Sequence, residues 1–249
     1  MISVENFTKN YGQTTVIKNL NLHIEKGQTF CLLGKNGAGK STLINTVLDL
    51  LKTDQGKIRI LSMPNNELDK ETKKKIGVVA EDLLLIEEIT GFEYLTFVGK
   101  IYGIPKDVLS SRINDLFKYF FENDADLKKN ISKYSTGMKK KIAFCAAIIH
   151  LPEVLVLDEP FSGLDPLVAN QMLAFIKKYQ NGERTIFISS HDLSYIEKIA
   201  THIGVLNDGE LVYNSTIGHF TENGANELDA ALLKLLKPND TELQEIDWL

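Results

Sequence analysis

One short segment rich in glycine carries the strongest chemical signal in the sequence. It reads GKNGAGKS over residues 34–41 and fits the phosphate-loop pattern G-x-x-x-x-G-K-[ST]. Glycines let backbone amides approach phosphate oxygens, and the N-terminus of the helix that follows attracts the anion. We expect Lys40 to reach the β- and γ-phosphates, Ser41 to ligate Mg²⁺ and Thr42 to contact the α-phosphate. The predicted nucleotide-binding residues of this segment are Gly34, Asn36, Gly37, Ala38, Gly39, Lys40, Ser41 and Thr42.

A second segment, VLVLDE at residues 154–159, is an apolar run that ends in two carboxylates. A buried central strand of a parallel sheet has this composition, and it delivers its last residues to the carboxyl edge of the sheet, beside the phosphate loop. We expect Asp158 to hold Mg²⁺ through water. Glu159 is expected to orient the attacking water or accept its proton. His191 follows another predicted strand and is expected to meet the γ-phosphate at the same edge.

Two predicted helix starts flank the acidic strand. Ser135 is a plausible N-cap, and Gly137 allows another backbone to approach closely. Asp165 followed by Pro166 is typical of an N-cap with proline in the first helical position. The phosphate loop alone leaves kinases, GTPases and ATPases open, although the sequence has no N-K-x-D guanine-reading motif, which disfavours a GTPase.

The composition limits the class of protein. The chain has 249 residues with 43% hydrophobic and 24% charged residues, which is typical of a globular protein. No stretch free of Asp, Glu, Lys and Arg exceeds 11 residues, so we predict no direct membrane insertion. The N-terminus lacks the pattern of a signal peptide, which predicts a cytoplasmic location. Cys31 and Cys145 lie in separate apolar runs and are predicted to be small buried residues rather than a metal or redox pair.

The charge is also unevenly distributed. The net charge is −5, but the first 221 residues contain 26 acidic and 26 basic residues. A neutral body provides no general field for phosphate backbones, so no nucleic-acid partner is expected. Two lysine runs, at residues 73–75 and 139–141, are interpreted mainly as solvated helix faces.

Short strand-like runs alternate with helical runs, which predicts an α/β fold with a parallel sheet covered by helices. Strands are predicted near residues 2–7, 20–24, 29–33, 57–61, 76–79, 154–157, 185–188, 203–206 and 210–213. The first two indicate an antiparallel β edge. Helices are predicted near residues 40–50, 166–179, 193–200 and 227–236.

Residues 82–150 lack strand signals and are predicted to form a helical insertion subdomain. Thr90 and Glu93 form a T-x-x-E capping box, and Asp107 begins a second helix after Pro105. We expect residues 1–81 and 151–220 to form the core with its antiparallel β subdomain. Residues 221–249 are expected to form a C-terminal helix and an acidic tail.

The motifs GKNGAGKS, YSTGMKKK, VLVLDEP, SGLD and SSHD occur in this order. Together they resemble the nucleotide-binding subunit of ATP-binding-cassette (ABC) transporters over about residues 1–220. The resemblance implies the P-loop ATPase fold of that family and a head-to-tail dimer that closes around two ATP molecules with Mg²⁺. Ser135 and Gly137 would then bind the γ-phosphate held by the partner, and Asp165 would cross the interface. Tyr11 matches the position where the family stacks an aromatic ring on adenine.

The chain departs from the family pattern at several positions. Glu81 stands where a glutamine is usual, and a carboxylate can approach Mg²⁺ but cannot donate a hydrogen bond. In the signature segment, Thr136 replaces a glycine, Met138 a glutamine and Tyr134 a leucine. Since Ser135 and Gly137 remain, the phosphate contacts are expected to be intact.

These variants resemble ATPases that pair with separate transmembrane permease subunits, often exporters of antimicrobial peptides, toxins or drugs. The chain would lie on the inner face of the membrane through that permease and act as a homodimer or as a heterodimer with another ATP-binding subunit. Two alternatives remain: a soluble ABC-type ATPase of translation or DNA repair, and a non-hydrolysing ATP-sensing regulatory module.

Overall fold

The computed structural model describes residues 1–236 in two β-sheets and a set of helices. The strands are β1 (Ile2–Tyr11), β2 (Thr14–Ile24), β3 (Thr29–Leu33), β4 (Gln55–Ile60), β5 (Met63–Pro64), β6 (Ile76–Val79), β7 (Val154–Asp158), β8 (Thr185–Ser190), β9 (His202–Asn207) and β10 (Glu210–Thr216). The α-helices are α1 (Lys40–Val47), α2 (Lys70–Lys73), α3 (Gly91–Ile101), α4 (Lys106–Phe120), α5 (Thr136–Ile148), α6 (Pro166–Tyr179), α7 (Leu193–Ile199), α8 (Ile217–Phe220) and α9 (Leu228–Leu236). No helix within residues 1–236 has the length and apolar character needed to cross a membrane.

The larger sheet has the strand order β10-β9-β3-β8-β7-β6. Strands β9, β3, β8, β7 and β6 run parallel, and β10 pairs antiparallel with β9. All residues of β3, β7 and β8 are buried, as expected for strands covered on both faces. Since β3, β7 and β8 are neighbours, their carboxyl ends meet at one edge, where the phosphate loop, the acidic pair and His191 follow.

The smaller sheet is antiparallel with the order β2-β1-β4-β5. Ile2 and Val4 of β1 alternate with more exposed residues and pack into an apolar cluster with Leu22, Ile58 and other buried side chains. The predicted antiparallel edge is therefore a separate sheet, while β10 forms the antiparallel edge of the parallel sheet. This sheet is joined to the larger sheet through Lys18, whose N–H donates to the Gly209 carbonyl at 2.9 Å in the β9–β10 turn.

Helices α3, α4 and α5, with two 3₁₀ segments, occupy the chain between β6 and β7. The predicted capping box is confirmed: Thr90 Oγ1 accepts from Glu93 N at 3.2 Å, and Glu93 Oε2 accepts from Thr90 N at 2.8 Å. Pro105 is the N-cap of α4, so this helix begins one residue before the predicted Asp107. Each helix begins where the sequence provides a cap or a proline.

Several elements differ from their predictions. Strands β1 and β2 extend to Tyr11 and back to Thr14, and helix α1 ends at Val47 rather than near residue 50. Strand β5 and helices α2 and α8 were not predicted, because segments of two to four residues carry too little periodicity. Cys31 and Cys145 are fully buried free thiols, as predicted, and burial raises the pKa of both. The predicted acidic tail lies outside the described residues.

Candidate active site

The phosphate loop connects β3 to α1 and turns through two glycines with positive φ. Gly37 has φ 82°, and Gly39 has φ 105° and is the N-cap of α1. No side chain among the described residues caps the first turn of α1. Its amides therefore point toward the loop without a side-chain acceptor. An unpaired helix N-terminus of this kind favours a bound anion.

Two loop residues also meet a requirement of packing. A Cβ added to Gly34 would lie 2.5 Å from the Leu206 carbonyl oxygen of β9. Ala38 is 4% exposed and packs in the apolar cluster beneath the loop. Gly34 and Ala38 thus fix the path of the loop by packing, and their backbone contacts to a nucleotide stay a prediction.

Lys40 lies at the centre of the site and contacts three oxygens. Its Nζ donates to the Gly34 carbonyl at 2.7 Å and to the Lys35 carbonyl at 3.4 Å. The same Nζ lies 3.3 Å from Glu159 Oε1, and both side chains are only 6% exposed. Oε1 has no partner in hydrogen-bond geometry among the described residues, so its interaction with Lys40 is ionic. In this position, the phosphate oxygens of a bound nucleotide would compete with the Glu159 carboxylate for the Lys40 ammonium.

The backbone and side chain of Glu159 are fixed by β8 and His191. Glu159 adopts φ 47°, a left-handed conformation that is strained for a non-glycine residue and that clusters at functional sites. Its N–H bonds to Ser189 Oγ at 3.0 Å and to the Ser189 carbonyl at 3.2 Å. His191 Nδ1 lies 2.9 Å from Glu159 Oε2. The carboxylate is therefore oriented between a cation on one oxygen and an imidazole on the other.

Oxygen atoms that could ligate a cation lie beside the loop, on Ser41 and Glu81, and at the end of β7, on Asp158. Ser41 Oγ lies 3.4 Å from Glu81 Oε2, and the two residues share a cavity wall. Asp158 is 3% exposed, and its Oδ1 accepts a hydrogen bond from Ser189 Oγ. Hydroxyl and carboxylate oxygens are the hard donors that Mg²⁺ prefers, and this cation commonly binds few protein ligands and keeps several waters. The donor set fits Mg²⁺.

Eight of the predicted site residues line one open cavity of about 210 Å³; they are Asn36, Gly37, Gly39, Lys40, Ser41, Thr42, Glu81 and Glu159. Of the other predicted residues, Tyr11 lies at the end of β1 and is 49% exposed. Lys9 Nζ stands 5.7 Å from the centre of the Tyr11 ring. Neither Tyr11 nor the signature segment borders this cavity. The structure thus brings together the loop, Glu81 and Glu159 within one chain.

The signature segment starts helix α5 on the surface. Ser135 is exposed and its Oγ accepts from Met138 N at 3.2 Å. A Cβ at Gly137 would find its nearest neighbour among the described residues at 3.9 Å, on Leu164, so intrachain packing does not require a glycine there. Tyr134 is buried and its hydroxyl donates to the Asp126 carbonyl at 2.6 Å. The tyrosine that replaces the usual leucine is therefore accommodated.

Two residues of the site were not predicted from the sequence: Val16, which lines the cavity, and Lys140. Lys140 Nζ donates to the carbonyls of Glu159, at 3.2 Å, and Ser162. Burial lowers the pKa of Lys140, while Glu159 and Glu81 act in the opposite direction. The interpretation of residues 139–141 as a solvated face is wrong for Lys140. The only available signal was its position one turn after Gly137.

The N-cap of α6 agrees with its prediction. Asp165 Oδ1 accepts from Leu167 N and Val168 N, both at 3.0 Å, and Pro166 is the first helical residue. The segment from Glu159 to Asp165 therefore runs from the carboxyl edge of β7 directly to a capped helix. The site and the start of α6 are separated by one short turn.

Comparison with known proteins gives the family. A family profile described as ABC transporter matches residues 17–162. The bacitracin transport ATP-binding protein BcrA of Enterococcus faecalis is 39% identical over 215 residues, covering 85% of this chain and 68% of that protein. The linearmycin resistance ATP-binding protein LnrL of Bacillus subtilis is 32% identical, covering 99% and 83%.

A solved structure has a similar fold and a related sequence. It is described as the dimeric structure of MJ0796, a bacterial ABC transporter cassette, and it matches with a TM-score of 0.78 and 25% identity over 87% of this chain and 99% of that one. The phosphate loop, the acidic strand and the parallel sheet of this chain thus lie in a fold that is known from an ABC transporter cassette. This chain belongs to the ABC transporter family and is an ABC-type ATPase.

Proposed function

We propose that this ATPase powers export of an antimicrobial peptide, toxin or drug through a separate transmembrane permease, at whose cytoplasmic face it lies. The observation that carries the catalytic part of the proposal is the buried contact between Lys40 and Glu159 at the carboxyl edge of the sheet. Relatives that are named for bacitracin transport and linearmycin resistance support the class of cargo.

The proposed roles follow from the contacts. Lys40 and the loop amides bind the β- and γ-phosphates, and Glu159 orients the attacking water and takes its proton. His191, 2.9 Å from Glu159, keeps that carboxylate aimed and meets the γ-phosphate. In phosphoryl transfer, enzymes lower the activation barrier mainly by positioning the reactants and stabilising charge. These fixed groups would provide both.

Ser41, Asp158 and Glu81 are the proposed Mg²⁺ ligands, directly or through water. When bound, Mg²⁺ would neutralise phosphate charge next to Lys40. Glu81 adds a negative charge where the family usually has a neutral amide. We therefore expect Glu81→Gln to lower Mg²⁺ affinity while leaving nucleotide binding without Mg²⁺ unchanged or tighter.

The site is proposed to be completed by a second cassette, either a copy of this chain or a related subunit. The signature residues do not border the cavity of their own chain, and Gly137 is not required by intrachain packing. A glycine inside a helix costs about 1 kcal/mol relative to alanine, so its presence there favours close approach of another molecule. The dimeric cassette of the same fold supports this arrangement.

An apolar groove is the proposed docking site of the permease. It has a volume of about 430 Å³ and lies between the segment after β6 and one face of α3, with Leu83, Val98 and Tyr102 in its walls. Leu84 at its border is 93% exposed, which is unusual for a large apolar side chain. Glu81 lies between Ala80 and Asp82, which both line the groove, so docking there is close to the nucleotide cavity.

The test is reconstitution with the permease in proteoliposomes, with phosphate release as the readout. We expect Lys40→Ala to weaken ATP binding at least several-fold and to abolish release. Leu84→Asp should leave ATP binding unchanged while removing stimulation by the permease. Unchanged nucleotide affinity in Lys40→Ala would contradict the phosphate-loop assignment, and full stimulation of Leu84→Asp would contradict the docking site. Phosphate release that depends on RNA or DNA and needs no permease would instead favour a soluble ABC-type ATPase of translation or DNA repair.

A further inference from the structure

A second cavity lies between helices α3 and α4, away from the nucleotide site. Its volume is about 510 Å³, within the range of roughly 300–1,000 Å³ that is usual for small-molecule sites. None of the residues that line it among the described part of the chain lines the nucleotide cavity or the apolar groove. We call it the α3–α4 cleft; its lining residues include Phe92, Thr96, Lys100, Ile104, Lys106 and Ile113.

The walls of the α3–α4 cleft are mostly apolar. A Cβ at Gly99 would lie 2.2 Å from Leu109 Cδ1, so the glycine permits α4 to approach α3 closely. This close approach leaves Leu109 and Ile113, at 3% and 1% exposure, as the buried part of the lining. Phe92 is 40% exposed and stands at the surface. The cleft therefore offers an apolar surface that is deeper than a flat patch.

One polar atom in the wall has no partner. Thr96 Oγ1 is buried and makes no hydrogen bond with any described residue. A threonine inside a helix usually bonds the carbonyl four residues earlier, and a buried hydroxyl without a partner is unfavourable. This oxygen is closed off from the cleft, so it is an unfavourable feature of the wall and not a contact point for a bound molecule.

The charge of the α3–α4 cleft is positive. Lys100 and Lys106 are the two charged residues that line it, and no carboxylate among the described side chains lies within 4.0 Å of either ammonium. Both lysines are exposed, so they stand at the rim. A ligand with an anionic head and an apolar body matches this distribution.

We propose that the α3–α4 cleft binds a single-chain anionic amphiphile, with its apolar chain against Ile104 and Ile113 and its head group near Lys100 and Lys106. The proposal is independent of the roles assigned to the nucleotide site. A carboxylate and a phosphate monoester would both satisfy the lysines, since each presents oxygen acceptors to an ammonium.

The first experiment uses methyl NMR of the isoleucines in the full chain, titrated with sodium decanoate, decyl phosphate, decanol or decyltrimethylammonium below their aggregation concentrations. We expect Ile104 and Ile113 to shift, with both anions binding tighter than decanol and the cation weakest. In the series from hexanoate to decanoate, affinity should rise about fourfold for each added CH₂ that is buried.

The second experiment separates charge from chain contacts. The double variant Lys100→Gln/Lys106→Gln should lose the preference for decanoate over decanol and retain decanol binding. The matched control Lys118→Gln/Lys177→Gln removes two exposed lysines that do not line the cleft and should bind decanoate like the parent chain.

Three results would overturn the proposal. The first is shifts confined to Ile101, which borders the apolar groove, or no shifts at all. The second is equal affinity for the anion, the alcohol and the cation, which would indicate unspecific apolar contact. The third is cosedimentation with anionic phospholipid vesicles without binding of monomeric decanoate or decyl phosphate, which would assign the lysines to a bilayer surface.

Discussion

Replacing Glu159 by glutamine should separate nucleotide binding from hydrolysis. The amide keeps the shape of the side chain but can neither take a proton from water nor carry the charge that faces Lys40. Loss of a positioned general base typically lowers the rate by about 10²–10⁴-fold. We therefore expect phosphate release to fall by at least two orders of magnitude.

Binding of ATP should become tighter in the same variant. Lys40 Nζ and Glu159 Oε1 are 3.3 Å apart with both side chains 6% exposed, so their gross attraction at an effective dielectric constant of ~20 is about 5 kcal/mol. Phosphate must compete with that attraction. Since the amide dipole of glutamine would still face Lys40, only part of this attraction is lost; a net gain of about 1.4 kcal/mol corresponds to tenfold tighter ATP.

The assay pairs a fluorescent ATP titration with phosphate release and with size-exclusion chromatography in ATP, where the variant should accumulate as an ATP-bound dimer. The matched control is Glu153→Gln, which removes a carboxylate 3.0 Å from Lys75 where both side chains are about half exposed. This control should change neither the affinity for ATP nor the rate of phosphate release. Hydrolysis by Glu159→Gln at the parent rate would exclude Glu159 as the base, and weaker ATP binding would show that its charge does not compete with phosphate.

Three further predictions concern packing, the dimer and pH. Gly34→Ala should lower the free energy of unfolding by about 2–3 kcal/mol in urea titrations, because its Cβ would meet the Leu206 carbonyl at 2.5 Å; an unchanged midpoint would contradict this packing. Gly137→Ala should stabilise the chain by up to ~1 kcal/mol yet reduce ATPase activity in the dimer, and full activity would argue against a ligand there. Burial lowers the pKa of His150 to about 4. The neutral imidazole therefore contributes to the free energy of unfolding above pH 6.5, and this contribution is lost as the pH falls from 6.5 toward 4. In urea unfolding at each pH, His150→Gln should reduce the loss of stability over this range by about 1–2 kcal/mol.

The elements and the chemistry of the loop could be predicted because both depend on local pattern. Strand β6 and the capping box at Thr90 follow from short-range periodicity and spacing, and the structure confirms both. The order of strands in the larger sheet could not be predicted, because it depends on pairings between segments far apart in the chain. For the same reason the sequence did not separate the four-stranded sheet from the antiparallel edge.

In the site, too, local sequence pattern predicted the residue types, whereas contacts between distant residues were not predicted. That Lys40 and Glu159 both serve a phosphate was predicted, but their direct contact was not, since 119 positions separate them. The close packing of Gly34 against Leu206 was not predicted either, because the two residues lie far apart in the chain. Lys140 resembled its two neighbouring lysines in sequence, and only the position of α5 against β7 distinguishes it.

The bonds from Lys140 tie helix α5 to the turn that carries Glu159. Ser135 begins this helix, and Lys140 lies five residues later, about 7.5 Å along its axis. With Ser135 against the nucleotide of a second cassette, one rigid rod would connect each triphosphate to the water-orienting carboxylate of the opposite half. Cleavage at one site would then change the position of the carboxylate at the other, so the two hydrolysis events would not be independent.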